Sequence, residues 1–379
     1  MLPFIKEKNT LWEYLKTAGK PVVLYGTGDG ADKVITRLEE NGIVISGIFA
    51  SDEFVRGQQF HGFTVRKYSE LLALRENVIV LIAFASELPE MLDRFYKLAQ
   101  IHETYAPHVP VFSGDQTVTP EWIHKYEAEL QTVYGRLADA ASRETFAAVL
   151  NYKVSGKLSY LQECTTKRDD DLKELFSFGE EEIYVDAGAY DGDTVQEFLN
   201  LSGHHYKKIV ALEPDPKNFR KLTKFVRQNG LNAVRCLQAG VWSECGLLEL
   251  NGNGGRQSTF RKSSAHKKVK TQPVNVVSVD SVLGNDHADY MKFDVEGVEK
   301  DALTGAARHL VPDASGVLPK LLIAAYHHDE DILSCRCFYG NCSRIIKFIC
   351  GNILMCPRGK LIFSQNKPHP RGRRKTRYV

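Results

Sequence analysis

Two apolar runs in this chain end in the same way. "PVVLYGTGDGADKV" (residues 21–34) and "EIYVDAGAYDGDTVQEF" (residues 182–198) each pass from a strand-like run through a glycine-rich turn into a helical pattern. An apolar strand feeding a helix through a tight turn begins the strand–helix–strand unit of a parallel sheet. Two such starts, far apart in a chain of 379 residues, predict two α/β domains, since a single core rarely grows that large.

The alternation continues after each start. "IVISGIFASD", "FTVRKYSELLAL", "NVIVLIAFAS" and "ELPEMLDRFYKLAQ" follow the first as strands and helices. Residues 1–118 therefore read as an N-terminal Rossmann-like domain, with right-handed crossovers. Residues 119–179 turn helical and read as a connector that opens the second domain. Over 180–331, strand-like runs recur at "KIVALEP", "VRCLQAGVW", "GLLELN", "VNVVSVD", "YMKFDVEG" and "KLLIAAYHH". No solenoid-type repeat appears.

Composition is that of a globular protein, 43% hydrophobic and 25% charged. The start, "MLPFIKEKNTLWEYLK", has charges within its apolar run and reads as an amphipathic helix rather than a signal peptide. No apolar segment approaches the roughly 18 residues of a membrane span. A cytoplasmic location is the expectation.

Charge is distributed unevenly. Residues 332–379 hold 11 Lys and Arg and no acid, which leaves 38 basic against 47 acidic residues before them, a net of −9. Five of the eight cysteines, Cys335, Cys337, Cys342, Cys350 and Cys356, fall in the same tail. Three readings of it stay open: a basic arm for acidic lipid or nucleic acid, a zinc module, or the product of a frameshift after about Asp331. The cysteines lack paired CxxC spacing, which disfavours zinc. The abrupt loss of every acid favours the frameshift.

The second glycine turn carries acid where a phosphate loop would carry lysine. Carboxylates at Asp186, Asp191 and Asp193 would repel phosphate, so the expected ligand is neutral or cationic. Gly188 and Gly192 would let it approach the backbone closely. One strand–helix–strand unit further on, "KIVALEPDP" ends a strand at Glu213, placed to accept hydrogen bonds from both hydroxyls of a ribose. A ribose with positive charge and no phosphate describes S-adenosylmethionine. The expected donor site comprises Asp186, Gly188, Tyr190, Asp191, Gly192, Thr194, Glu213 and Asp215, with no metal.

"YVDAGAYDGDT", "ALEPDPKNF", "QAGVW" and, most specifically, "YMKFDVEGVEKDALTGA" resemble the FkbM family of S-adenosylmethionine-dependent methyltransferases over roughly residues 180–330. The resemblance implies a class I methyltransferase fold and methyl transfer to a hydroxyl oxygen, often of a sugar, glycan or natural product. It places Tyr190 and Asp191 in the family's "YDG" segment and Glu213 at its ribose-binding position. Family members usually continue past "YH..ED" with an aromatic-rich segment of mixed charge, from which this tail departs.

On the acceptor side, "YMKFDVEGVEK" reads as a strand ending near Asp294, with Lys292, Glu296 and Glu299 clustered around it. Alternation puts Lys292 and Asp294 on one face. A carboxylate there can serve as a base and a lysine can stabilise an alkoxide. His327, in "YHHDED", is a further candidate base or substrate contact. A metal site there is disfavoured, because neighbouring strand residues point opposite ways. "NGNGGRQSTF" reads as a hairpin or a loop over the acceptor.

The first turn follows the pattern G-x-G-x-x-A, with Gly26, Gly28 and Gly30 and with Asp52 beyond the next strand. Its surroundings resemble the small nucleotide-binding domains found beside sugar acetyltransferases and nucleotide-sugar epimerases. The rival readings are therefore a nucleotide-sugar-binding or NAD-dependent sugar-modifying protein, for which no Tyr-x-x-x-Lys pair is present, and a non-catalytic binding protein in glycan assembly. Nucleic acid is not an expected partner, for want of a basic face interleaved with aromatics.

Overall fold

The computed structural model describes residues 2–86, 88–112, 114–166, 168–251, 259–260, 271–313, 316–334, 346–350 and 359–363. It divides into two compact units, Met1–Asp171 with Ile323–Leu361, and Leu172–Leu322 with Ile362–Val379.

The first unit is built on a five-stranded parallel sheet. Its strands are β1 (Val22–Tyr25), β2 (Ile45–Ala50), β3 (Arg66–Lys67), β4 (Ile79–Ile82) and β5 (Glu103–Tyr105), in the order β3-β2-β1-β4-β5. β1 and β4 lie inside and are buried at every residue, which explains their unbroken apolar runs. Helix α1 (Asp29–Glu40) follows β1 and buries Ala31, Val34, Ile35 and Leu38, the stripe expected of a crossover helix. The segment expected as a helical connector forms helices, of which α2 (Ala140–Ser155) is the longest. Asp139 caps its start by accepting from the Ser142 amide, and Gly156 ends it at φ 65°. Every residue from Ala148 to Ser155 is buried, Asn151 and Lys153 included.

The second unit carries β6 (Ile183–Ala187), α3 (Asp193–Ser202), β7 (Lys208–Leu212), α4 (Pro216–Gln228), β8 (Val234–Leu237) and β9 (Tyr290–Phe293). The strands stand in the order β8-β7-β6-β9, all parallel. This fixes the register that matters below, Lys292 opposite Asp186. The core beneath is aromatic. Tyr184 stacks on Tyr290 with centroids 4.7 Å apart, and Phe198, Phe176 and Phe178 close around them. A smaller sheet pairs Gly246–Asn251 antiparallel with Thr271–Val277 and with Thr259–Phe260. The expected hairpin is thus present at its base, while residues 252–258 lie outside the described residues.

Strand Lys320–Ala324 carries the chain from the second unit back to the first. The expectations for the tail fall largely outside the described residues, which there comprise residues 332–334 and the strands Ile346–Cys350 and Gly359–Phe363. Among the described residues no helix is long and apolar enough to cross a membrane.

Candidate functional site

The bend after β6 is held in place by charge that is entirely internal. Asp186 is fully buried and Lys292 is 2% exposed. The Lys292 ammonium lies 3.1 Å from Asp186 Oδ1 and donates to the Gly188 carbonyl at 2.5 Å. Thr194 Oγ1 donates to Asp186 Oδ2 at 2.5 Å, which ties the first turn of α3 back to the strand. Burial would pull the lysine down, but the carboxylates of Asp186, Asp294 and Asp193 outweigh it and hold its pKa above the ordinary value. A buried charge that keeps its proton needs partners of this kind. Lys292 is thus committed to the loop.

Backbone geometry explains the residue types in "DAGAYDGD". Gly188 has φ 86°, and a Cβ there would lie 2.0 Å from the Asp294 carbonyl oxygen. Gly192 has φ 100°, and a Cβ would meet the Phe225 ring at 2.6 Å. Tyr190 adopts φ 46°, uncommon for a residue with a side chain. The loop is pinned to the neighbouring strand by the amides of Gly188 and Ala189, which donate to the Leu212 carbonyl at 3.0 and 2.9 Å.

Glu213 sits at the end of β7, 6% exposed. Its Oε2 accepts from the Tyr190 amide and its Oε1 from the Asp215 amide, both at 2.9 Å. Burial pushes its carboxyl up to about 7, against the pull of these two amides. Each carboxylate oxygen keeps a further lone pair for a ligand hydroxyl. Asp215 caps α4, its Oδ1 accepting from the Lys217 and Asn218 amides at 2.9 Å. Asp191 is half-buried, 3.8 Å from the Lys221 ammonium, which also lies over the Tyr190 ring.

Asp294 follows β9 and is half-buried, its amide donating to the Ala187 carbonyl at 3.0 Å. The turn after it, Glu296 at φ 59° and Gly297 at φ 94°, is anchored by buried Glu299, whose Oε1 accepts from the Val295 amide at 3.0 Å. "DALTGA" is explained further on, where a Cβ at Gly305 would meet the Trp242 carbonyl at 2.1 Å.

His327 belongs to the first unit, where it is buried with its ring 4.1 Å from that of Tyr326. The residues after it are spent within that unit. His328 pairs with Asp115 at 2.7 Å, and Tyr126 donates to Glu330 at 3.1 Å. Asp329 accepts from His108 Nε2 at 2.9 Å, from Lys153 Nζ at 2.5 Å and from the Val118 amide at 3.0 Å. Burial would raise the Asp329 carboxyl, but His108 and Lys153 outweigh it and hold it well below the usual range. Sequence reasoning did not find His108 or Lys153. The available signal was a lysine inside the run "AAVLNYKV", where a helix buried all round has no exposed face for it.

In the first glycine turn, a Cβ at Gly26 would meet Phe84 at 2.6 Å and one at Gly30 would meet the Ala83 carbonyl at 2.5 Å, whereas Gly28, at φ 123°, faces open space. The end of β4 thus packs directly on this turn. Asp52 is exposed, and its Oδ1 accepts from the Ser69 amide at 2.9 Å.

A parallel sheet with a glycine turn after its first strand and a buried acid ending the next is the arrangement of a class I methyltransferase. Residues 186–332 match the family model of the methyltransferase FkbM domain. The whole chain aligns with the crystal structure of methyltransferase FkbM from Methylobacillus flagellatus KT, at a TM-score of 0.69 and 18% identity, covering 95% of each chain. A putative rRNA methylase from Clostridium thermocellum aligns with 53% of this chain and 94% of its own, at a TM-score of 0.34 and 11% identity. No curated protein matches. The protein therefore has a methyltransferase fold, and its residues 186–332 are similar to the FkbM methyltransferase domain.

Proposed function

We propose that the second unit binds S-adenosylmethionine at the carboxyl edge of β6 and β7 and transfers its methyl group to a hydroxyl oxygen of a sugar, glycan or natural product. The observation that carries the reading is Glu213, a buried carboxylate at a strand end whose two oxygens are already aimed by loop amides. The residues present fit the donor. Glu213 receives the ribose hydroxyls, and the turn, with Asp191 and Asp193 on it beyond the internally paired Asp186, suits an ammonium and a sulfonium and rejects phosphate. The donor, when bound, supplies a methyl group on an electrophilic sulfonium.

The chain's own residues have three tasks. Lys292 and Asp186 lock the turn, so that Tyr190 and Asp191 are presented at fixed backbone angles. Asp294, beside the start of that turn, takes the proton that the acceptor hydroxyl loses as its oxygen bonds to carbon. Alignment of acceptor and donor supplies much of the remaining acceleration.

Titration calorimetry with S-adenosylhomocysteine tests the reading. Micromolar binding that Glu213→Ala weakens at least tenfold, about 1.4 kcal/mol, is expected. A folded protein that does not bind it overturns the proposal.

A further inference from the structure

From Pro216 to Leu237 the chain contains six Lys or Arg and no Asp or Glu, in a body that is otherwise net acidic. All six, Lys217, Arg220, Lys221, Lys224, Arg227 and Arg235, are exposed. At a helical rotation of about 100° per residue, the five on α4 fall within an arc of about 120°. Buried Leu222 and half-buried Phe219, Phe225 and Val226 occupy the other side. Lys221 turns toward Asp191 and Tyr190. Among the described residues, Lys217, Arg220, Lys224 and Arg227 have no carboxylate partner.

The C-terminal end of this face meets a cavity of about 280 Å³, whose lining includes Val226, Leu231, Val234 and half-buried Cys236. Arg227 belongs to both the basic arc and the cavity wall. β8, which contributes Val234 and Cys236, ends the strand order on this side of the sheet. Thr223 and Asn232 also line the cavity, so its apolar part is the wall of Val226, Leu231 and Val234; a row of unneutralised cations beside that wall matches an anionic head group beside the start of an acyl chain. Single-stranded nucleic acid would instead call for aromatic faces open to stacking, and the two phenylalanines of α4 are turned to the core side.

We propose that the α4 face, from Lys217 to Arg227 with the recess at Leu231 and Val234, is a docking surface for a membrane leaflet rich in acidic phospholipid. The attraction is electrostatic at range and decays within a Debye length, so it weakens as salt rises. The apolar recess adds contact once the surface is reached.

Co-sedimentation of the full chain with vesicles tests this. Vesicles of phosphatidylcholine mixed with phosphatidylglycerol should carry the protein down at low salt and release it at high salt, whereas pure phosphatidylcholine should not bind it. Replacing Lys217, Arg220, Lys224 and Arg227 together by Gln should lower the bound fraction at least tenfold. These side chains are exposed, and an unchanged circular dichroism melt confirms that the variant folds. Leu231→Asp, with all four cations in place, should weaken binding severalfold. The proposal is overturned by three results: no binding to the acidic vesicles, equal binding to neutral ones, or full binding by the fourfold variant, which would assign the attraction to the basic residues after Asp331. Binding of a labelled oligonucleotide in place of vesicles would overturn it equally.

Discussion

Gly30, in the first turn of α1, and Gly188, in the turn after β6, both follow the first strand of a parallel sheet, and both are closed in by a backbone carbonyl, of Ala83 in one unit and of Asp294 in the other. Around Gly30 the neighbours are apolar or exposed. Phe84 fills the space beside Gly26, and the acid beyond the second strand, Asp52, is exposed and holds a surface amide. Around Gly188 the neighbours are buried and charged: Asp186, Lys292 and, at the next strand end, Glu213. A glycine at this place thus reports only that backbone passes close to backbone. The buried charges are costly to maintain, and they are what the second turn has and the first lacks.

The sharpest way to break this contrast is Gly188→Ala. Left-handed strain and the collision with the Asp294 carbonyl together should cost about 5 kcal/mol, and calorimetric melting should show the second unit unfolding far earlier. Lys292→Met removes one half of a buried ion pair and should cost about 4 kcal/mol in urea unfolding. Retained stability would mean that the Lys292–Asp186 pair contributes nothing to folding.

Glu213 gives the next effect, and its sign depends on pH. Its folded carboxyl titrates near 7, above the ordinary value. Its contribution to stability is therefore fully present in acid, below the ordinary carboxylate range, and is lost as pH rises through about 7. Glu213→Gln removes that loss, so relative to wild type the variant should gain about 3 kcal/mol between pH 4 and pH 8. Equal pH profiles in urea melts would contradict this. Under the proposed function, S-adenosylhomocysteine should bind wild type more weakly below pH 7, as the carboxylate that receives the ribose is protonated.

Smaller effects are expected in the first unit. Gly28→Ala keeps open space but not an accessible backbone conformation, so it should cost about 2 kcal/mol and leave S-adenosylhomocysteine binding unchanged. Asp52→Asn, at an exposed side chain, should shift the melting curve less than Gly28→Ala does. A larger loss at Asp52 than at Gly28 would reverse the ranking drawn from backbone strain.

Particular residues show how far the sequence could be read. The strand–glycine–helix starts at Val22 and Ile183 were legible because a buried parallel strand must be apolar throughout and the turn after it must admit positive φ. Glu213 was legible because it follows one strand–helix–strand unit at a fixed interval. The role of Asp215 as a cap was not separable from ligand binding, since both use an acid at a helix start. Lys292 read as an acceptor-side cation, and its commitment to Asp186 and the Gly188 carbonyl depends on a register between strands more than a hundred residues apart.

The amino-acid sequence by itself determined two α/β units, the FkbM-like segment and the acid-bearing turn, because periodicity, glycine placement and strand-end acids are local properties of the chain. Only the tertiary structure decided which charges are buried and what they touch. Asp329 reaches Lys153 and His108, and Lys292 reaches Asp186, across long separations in sequence. No local pattern encodes those distances, since they are set by packing, and packing also fixes which carboxylates lose water and which stay solvated.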